Sequence, residues 1–235
     1  MSRIVGIVPA RAGSVGIPGK NAKVLAGYPL VSWTIIPALE ACDVVILTTN
    51  DPEVLALGWC ADRLKVQQRP DMLATPRTPD LPVVRWAYNF IDQEPGDLLL
   101  LLRPTAPFRR AQEIRLVGEI LTAEDADSVR SVVPARHHPQ KMYLGDFCDH
   151  GYPTLTPATA SHRANHPRQG LRPAYVACGF VDAVRADVLL SGSLEGDYIA
   201  GWLAPTERAL DLDTPEDWER AEALALERGW KPGEL

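Results

Sequence analysis

The chain has 235 residues, of which 46% are hydrophobic and 23% charged, enough for one α/β domain (1–235) with a sizeable core. Its net charge of −6 argues against a general nucleic-acid surface. No apolar run approaches the roughly 20 residues that a membrane helix needs, and the N-terminus leads straight into a short strand without a signal-peptide layout, so a cytoplasmic protein with no membrane partner is expected. Cys42, Cys60, Cys148 and Cys178 are scattered, with no C-x-x-C pair, and read as reduced thiols.

The pattern along the chain alternates strand and helix. Ile4–Val8 reads as a first strand and passes into the glycine-rich stretch Val8–Asn21. Helical spacing follows over Pro29–Ala41, with Pro29 suited to a first turn. Val44–Leu47 is a β-branched run, Asp51 is placed to cap the helix expected over Glu53–Leu64, and a third strand starts at Val66. A proline-rich loop over Asp71–Pro82 precedes a helix at Val83–Ile91. The unbroken leucines of Leu98–Leu102 predict a strand buried on both faces. Ala111–Ala123 is an amphipathic helix and Ser128–Val133 a further strand. This order predicts an α/β fold, a mostly parallel Rossmann-like sheet between two helical layers, with ligands at the carboxyl ends of its strands. The first loop, Arg69 and Arg103 all follow strands and are expected to converge there. Pro134–Pro173 breaks the alternation, and a loop that long reads as a functional or interaction arm or as a plain surface insertion. The pattern resumes at Tyr175–Val181 and closes with Leu210–Asp213 and a helix over Pro215–Glu227.

The stretch Val8–Asn21 carries glycines at 13, 16 and 19 and the cations Arg11 and Lys20. Glycines let backbone N–H groups crowd around an anion, and the cations add fixed positive charge, so a polyanion such as a nucleoside triphosphate suits it; an ordinary strand-to-helix loop is the alternative. It is neither a G-x-x-x-x-G-K-[ST] loop nor a G-x-G-x-x-G fingerprint, since Ser14 and Asn21 break the first and the glycine spacing breaks the second. Near the other end, Asp211 and Asp213 lie two apart in an extended segment, so both carboxylates share a face and suit Mg²⁺; Asp213 or Thr214 also reads as the N-cap of the following helix. The adjacent pair His137–His138 has no further histidine or cysteine cluster at ligand spacing to make a zinc site.

Pro9-Ala10-Arg11, Ser14, Gly16-Ile17-Pro18 and Lys20-Asn21 resemble the loop of the CMP-sugar-acid synthetases, the acylneuraminate cytidylyltransferase family, P-A-R-x-x-S-K-G-[IL]-P-x-K-N. The resemblance extends over most of the chain. Arg69-Pro70 matches an arginine that contacts cytosine in the family, and an arginine fork suits a pyrimidine edge. Leu101-Leu102-Arg103-Pro104-Thr105-Ala106-Pro107-Phe108-Arg109 resembles L-L-Q-P-T-S-P-L-R, whose glutamine faces the sugar; Arg103 stands there and is expected to clamp a carboxylate. Arg109 reads as helix-start decoration or as a functional arginine. His137-His138-Pro139-Gln140-Lys141 and Arg168 match arm residues of the family, and Asp211-Leu212-Asp213-Thr214-Pro215-Glu216-Asp217 its closing D-I-D-T-x-E-D.

The resemblance implies a nucleotide-diphospho-sugar transferase type of fold with an inserted dimerisation arm (134–174), a homodimer, and CTP and a sugar acid as partners. It implies a cytidylyltransferase that activates a sialic-acid-like nonulosonic acid, with a Kdo, pseudaminic or legionaminic acceptor, or a catalytically weak nucleotide-binding homologue, as alternatives. Arg11, Lys20 and Asp211 are the implied catalytic residues, Asp211 and Asp213 the Mg²⁺ ligands. Ala10, Ser14, Gly16, Asn21, Arg69, Arg103, Thr105, Lys141 and Arg168 are the implied substrate contacts. The chain departs from the family at Val15, where a lysine is usual, at Pro76-Arg77, where an Asp-Thr pair is usual, and at Arg103, Val176 and Cys178.

Overall fold

The computed structural model describes residues 2–147 and 151–235; Cys148 lies outside them. In chain order the elements are β1 Ile4–Pro9, β2 Val24–Leu25, β3 Tyr28–Pro29, α1 Ser32–Ala41, β4 Val44–Thr49, α2 Pro52–Ala56, β5 Leu64–Gln68, α3 Asp80–Tyr88, β6 Leu98–Leu101, α4 Ala111–Ala123 and β7 Ser128–Pro134. They continue with β8 Tyr143–Phe147, β9 Pro153–Pro157, β10 Tyr175–Ala177, β11 Asp182–Arg185, α5 Ala186–Ser191, β12 Ile199–Leu203 and α6 Pro215–Arg228. The chain divides into two compact units. The larger runs to Val132 and resumes at Cys178; the smaller is Val133–Ala177.

In the larger unit the sheet runs β7-β11-β6-β1-β4-β5, with β12 also on β7. Strands β6, β1, β4 and β5 run parallel to one another, and β12 is parallel to β7. Strand β11 runs antiparallel between β6 and β7, with Asp182 opposite Leu101. The carboxyl ends of β1 and β6 therefore share an edge with the amino end of β11. The mostly parallel sheet expected from the alternation is present, and the leucines of β6 are buried along its whole length. Gly6, in the middle of β1, packs so closely that a Cβ there would lie 2.9 Å from Cys42 Sγ. Burial pushes that thiol up to about 12.

Local boundaries differ where turn chemistry overrides helical spacing. Pro29 belongs to the short β2–β3 hairpin, and α1 begins at Ser32. Helix α2 ends at Ala56 instead of reaching Leu64, and Gly58 follows in the left-handed region at φ +64°. Helix α3 starts at Asp80, three residues before the apolar run suggests. Asp51 caps α2 by accepting from Glu53 N at 3.0 Å.

An apolar cluster under the first loop joins Ile17, Trp33 and Phe108 to Leu212 and Trp218 from the end of the chain. In the smaller unit β8 and β9 pair antiparallel. The His138 side chain caps the 3₁₀ turn Pro139–Lys141, accepting from Gln140 N at 3.1 Å. Among the described residues no helix is long and apolar enough to cross a membrane.

At the edge opposite the first loop, Asp97 precedes β6 and is buried. It accepts from Arg3 Nε and Nη2 at 3.0 and 2.7 Å, from Tyr88 Oη at 2.7 Å and from Glu94 N at 3.1 Å. Burial opposes its charge, but the bonds from Arg3, Tyr88 and Glu94 outweigh that and hold its carboxyl below the usual range. Its stabilisation is therefore present above about pH 4, the unfolded carboxyl's range, and is lost as pH falls through the lower folded value. Asp97→Asn is expected to cost about 3 kcal/mol at neutral pH by leaving Arg3 without its buried partner. In urea titrations across pH, the variant should also lose less stability than the parent below pH ~4.

Candidate active site

A cleft of about 380 Å³ opens at the carboxyl edge of the sheet in the larger unit. The first loop supplies Arg11, Ser14, Val15, Gly16, Lys20 and Asn21; residues after β5 supply Arg69, Thr75, Thr78 and Asp80; the turn after β6 supplies Arg103 and Thr105; Asp213 comes from the closing block. Most of the residues expected to bind substrate thus meet in one place.

The loop is fixed from within. Ala12 N donates to Asn50 Oδ1 at 2.9 Å and Asn21 Nδ2 to the Arg11 carbonyl at 2.9 Å. Arg11 Nη1 bends back to the carbonyls of Ala12 and Gly13, at 3.1 and 2.8 Å. Gly13 and Gly19 adopt φ +68° and +62°, the left-handed conformation that glycine tolerates. Gly16 has a different reason to be glycine: a Cβ would lie 1.9 Å from the Asp213 carbonyl oxygen. Ala10, expected at the substrate, is fully buried, its N–H donating to Thr48 O and its carbonyl accepting from Thr49 Oγ1. It forms the base of the loop, because both of its backbone polar groups are spent inside the fold.

Lys20 is buried and ties the loop to the closing block, donating to Leu212 O at 2.5 Å and to Asp213 Oδ1 at 3.1 Å. Leu212 is fully buried while Asp211 and Asp213 stay exposed, so the two carboxylates do share a side. Thr214, not Asp213, caps α6, in a capping box with Asp217. Although Asp211 keeps exposed surface, the protein atoms crowding its carboxyl raise it above its ordinary value, and the Asp213 charge adds to this. A hydrogen bond from Thr105 and the charges of Lys20 and Arg103 oppose it. Thr105 also accepts Leu212 N on its carbonyl at 2.9 Å, which pins the acidic pair to the turn after β6.

Arg69 is 4% exposed and donates to Thr48 O at 2.9 Å. Among the described residues it forms no ion pair. Burial, with the charge of Arg11 added, lowers its pKa to about 10. A buried guanidinium without a carboxylate, lining a cleft, is placed to donate to a ligand. Arg103 is the opposite case. Its Nη1 donates to Asp182 Oδ2 at 2.7 Å and its Nη2 to Asp80 Oδ2 at 2.6 Å. Burial works against its charge, but the two carboxylates outweigh that and raise its pKa. The expected clamp on a substrate carboxylate is therefore not what this arrangement offers, because the fork is already shared between two carboxylates. Neither Asp80 nor Asp182 carried a signal in the sequence: Asp80 opens a helix hidden by a proline-rich run, and Asp182 reaches the edge only because β11 runs antiparallel.

Lys141 and Arg168 belong to the smaller unit, where Arg168 Nη2 donates to Ala135 O at 2.6 Å. Among the described residues Cys42, Cys60 and Cys178 are free thiols.

With this geometry in place, the likeness to known proteins is specific. Residues 5–57, from β1 through the loop and α1 into α2, match the family model described as cytidylyltransferase. The chain is 34% identical over 122 residues to CMP-N,N'-diacetyllegionaminic acid synthase of Legionella pneumophila, covering 50% of this chain and 53% of that protein. It is 28% identical over 233 residues to N-acylneuraminate cytidylyltransferase A of Danio rerio, covering 97% of this chain and 52% of that protein. Over most of its length this chain is similar to cytidylyltransferases. It spans about half the length of the curated relatives it matches. Among solved structures it resembles a CMP:2-keto-3-deoxy-manno-octonic acid synthetase complexed with CTP, at TM-score 0.65 and 16% identity, over 97% of this chain and 100% of the other. A 4-diphosphocytidyl-2C-methyl-D-erythritol synthase from Anaerococcus prevotii follows at TM-score 0.58 and 14% identity, over 96% and 99% of the two chains. These two establish the shared fold, the nucleotide-sugar transferase type of three-layer sheet.

The contact of Gly16 with the Asp213 carbonyl gives a direct test of how loop and acidic pair depend on each other in this cytidylyltransferase relative. Gly16→Ala is expected to cost about 1–3 kcal/mol through overpacking. Thermal unfolding of the variant against the parent reads this cost, and an unchanged midpoint would show that the loop and Asp213 are not in close contact.

Proposed function

We propose that this protein is a cytidylyltransferase acting on a sialic-acid-like nonulosonic acid, converting CTP and the sugar acid to the CMP-sugar acid and pyrophosphate. The observation that carries this reading is the convergence, in one cleft, of the Arg11–Asn21 loop, the ion-pair-free Arg69 and Asp213 beside Asp211. The names of the relatives support the choice of nucleotide and acceptor class.

In the proposed reaction the anomeric hydroxyl oxygen of the acceptor bonds to the α-phosphorus. The bond from that phosphorus to the oxygen leading to the β-phosphate breaks, and pyrophosphate leaves with the electron pair. Such transfer depends mainly on positioning and on charge neutralisation. Arg11, Lys20 and the loop N–H groups would hold the triphosphate, and Arg69 would donate to the base. Ser14, Gly16 and Asn21 shape the phosphate side of the cleft, and Thr105 orients Asp211, the carboxylate proposed to take the hydroxyl proton.

Asp211 and Asp213 fit a hard divalent cation by their chemistry: both are carboxylates on one side of an extended segment, and the Asp213 charge is one of the causes that raise the Asp211 carboxyl. Mg²⁺ held there would neutralise phosphate charge and lower the pKa of an attacking hydroxyl.

We further propose that Val133–Ala177 is a dimerisation arm. Leu144 and Leu155, on its two paired strands, are 64% and 55% exposed, which suits burial against a second copy. In the resembled family such an arm completes the neighbouring subunit's site, the role proposed here for Lys141 and Arg168. A cytoplasmic location fits an enzyme that draws on CTP.

Pyrophosphate release, measured with each of the four nucleoside triphosphates, Mg²⁺ and a panel of sialic, legionaminic, pseudaminic and Kdo acids, tests the reaction. Release is expected with CTP and one acid, and Asp211→Asn should reduce it on the order of a hundredfold. CTP binding without release on any acid would favour the catalytically weak homologue, for which the departures at Val15 and Arg103 speak. Val15 is 81% exposed and lines the cleft where the resembled loop has lysine. Val15→Lys is expected to raise kcat/KM about tenfold or more by restoring a cation beside the phosphates; an unchanged or lower value would exclude a charge deficit at that position.

A further inference from the structure

On its cleft side, the charged network around Arg103 leaves an acceptor oxygen unspent among the described residues. Asp182 is 5% exposed and saturated: Oδ1 accepts from Ser131 N at 3.1 Å and Ser131 Oγ at 3.2 Å, and Oδ2 from Arg103 Nη1 at 2.7 Å and Arg130 Nη1 at 3.0 Å. It anchors Arg103 from the sheet side. On the cleft side, Arg103 Nη2 holds Asp80 Oδ2 at 2.6 Å. Among the described residues nothing donates to Asp80 Oδ1, and the Asp80 side chain is 44% exposed where it lines the cleft. The hydroxyls of Thr75 and Thr78, which line the same cleft, bond each other at 2.7 Å. Arg69, a cleft arginine that forms no ion pair among the described residues, feels the Asp80 charge. That end of the cleft therefore shows a ligand both a donor fork and an oriented acceptor oxygen.

We propose that Asp80 Oδ1, held in place by Arg103, is a specificity-determining acceptor of the cleft that takes a hydrogen bond from a donor group on the ligand. The inference rests on the nucleotidyltransferase reading and assigns a new residue within it. Two ligand groups carry this chemistry: the exocyclic amine of cytosine and a hydroxyl of the acceptor. A carboxylate at this position accepts from an amine or a hydroxyl and repels another carboxylate, so the acid group of an acceptor is bound elsewhere. Against uracil, which presents a carbonyl oxygen where cytosine presents its amine, Asp80 discriminates directly.

Arg103 makes the test sharp. An arginine only donates, so in Asp80→Asn it draws the amide oxygen to itself and turns the amide NH₂ toward the ligand. In the nucleobase arm, calorimetric titration of Asp80→Asn is expected to show CTP affinity reduced about tenfold and UTP affinity increased. In the hydroxyl arm, both nucleotides bind Asp80→Asn and Asp80→Ala as they bind the parent. Asp80→Ala then raises KM for the acid found on the sugar-acid panel about tenfold or more, with a smaller change in kcat. Either pattern supports the assignment and names the source. Unaltered nucleotide affinity and unaltered acceptor KM in both variants, at an unchanged melting midpoint, would overturn it. A parent protein that binds no nucleoside triphosphate would overturn the nucleotide reading itself and this inference with it, an outcome distinct from the first.

Discussion

Lys20 holds the site together. It lies at the end of the first loop, yet it donates to the carbonyl of Leu212 and the carboxylate of Asp213, so it joins the opening of the chain to its closing block. A buried ammonium must be matched by acceptors, and its partners here are supplied by one short extended segment. That segment is seated by Leu212, fully buried among Trp33, Phe108 and Trp218. The loop also approaches so closely that Gly16 has no room for a side chain beside Asp213. The geometry of the glycine loop and that of the Asp211–Asp213 pair are consequently one constraint, although nearly the whole chain separates them.

The second constraint is the direction of β11. Parallel strands deliver their carboxyl ends to one edge, which is why the first loop, Arg69 and Arg103 meet. A strand running the other way delivers its amino end to that edge, and in β11 that residue is Asp182. The result is an arginine whose charge is balanced within the fold. A glutamine at the same place would carry no charge to balance. The substitution at Arg103 therefore belongs with Asp80 and Asp182, and it changes what this end of the cleft can bind.

These two constraints mark how far the sequence could be read. Periodicity and motif spacing were sufficient for the parallel core, because the leucines of β6 and the β-branched runs of β1 and β4 are buried for reasons local to each strand. The acidic pair was legible because alternation around a single apolar residue, Leu212, forces both carboxylates to one side. The partners of Arg103 were not legible. They lie 23 and 79 residues away, one at the start of a helix masked by prolines and one on a strand whose orientation no local pattern records. Helix limits failed for a simpler reason: the left-handed turn at Gly58 stops α2 well before its apolar spacing ends.

Arg109 shows how the interior reaches the site. It is fully buried and forms no ion pair among the described residues. Burial, with the nearby charge of Arg103 added, lowers its pKa to about 9 against the opposing charges of Asp182 and Glu113. Its donors go to Thr34 Oγ1 at 2.9 Å and to the backbone carbonyl of Arg103 at 2.6 Å, and its guanidinium stands 5.8 Å from the Phe180 ring centroid. A charge so poorly matched would be costly if it only filled space. Its contacts instead fix the turn that bears Arg103 and Thr105, and Thr105 in turn fixes Asp211 and Leu212. The same arginine that reads from the sequence as decoration at a helix start thus lies beneath the turn from which the Asp80 carboxylate and the acidic pair are both set, so a change at Arg109 acts on both ends of the cleft without touching a ligand.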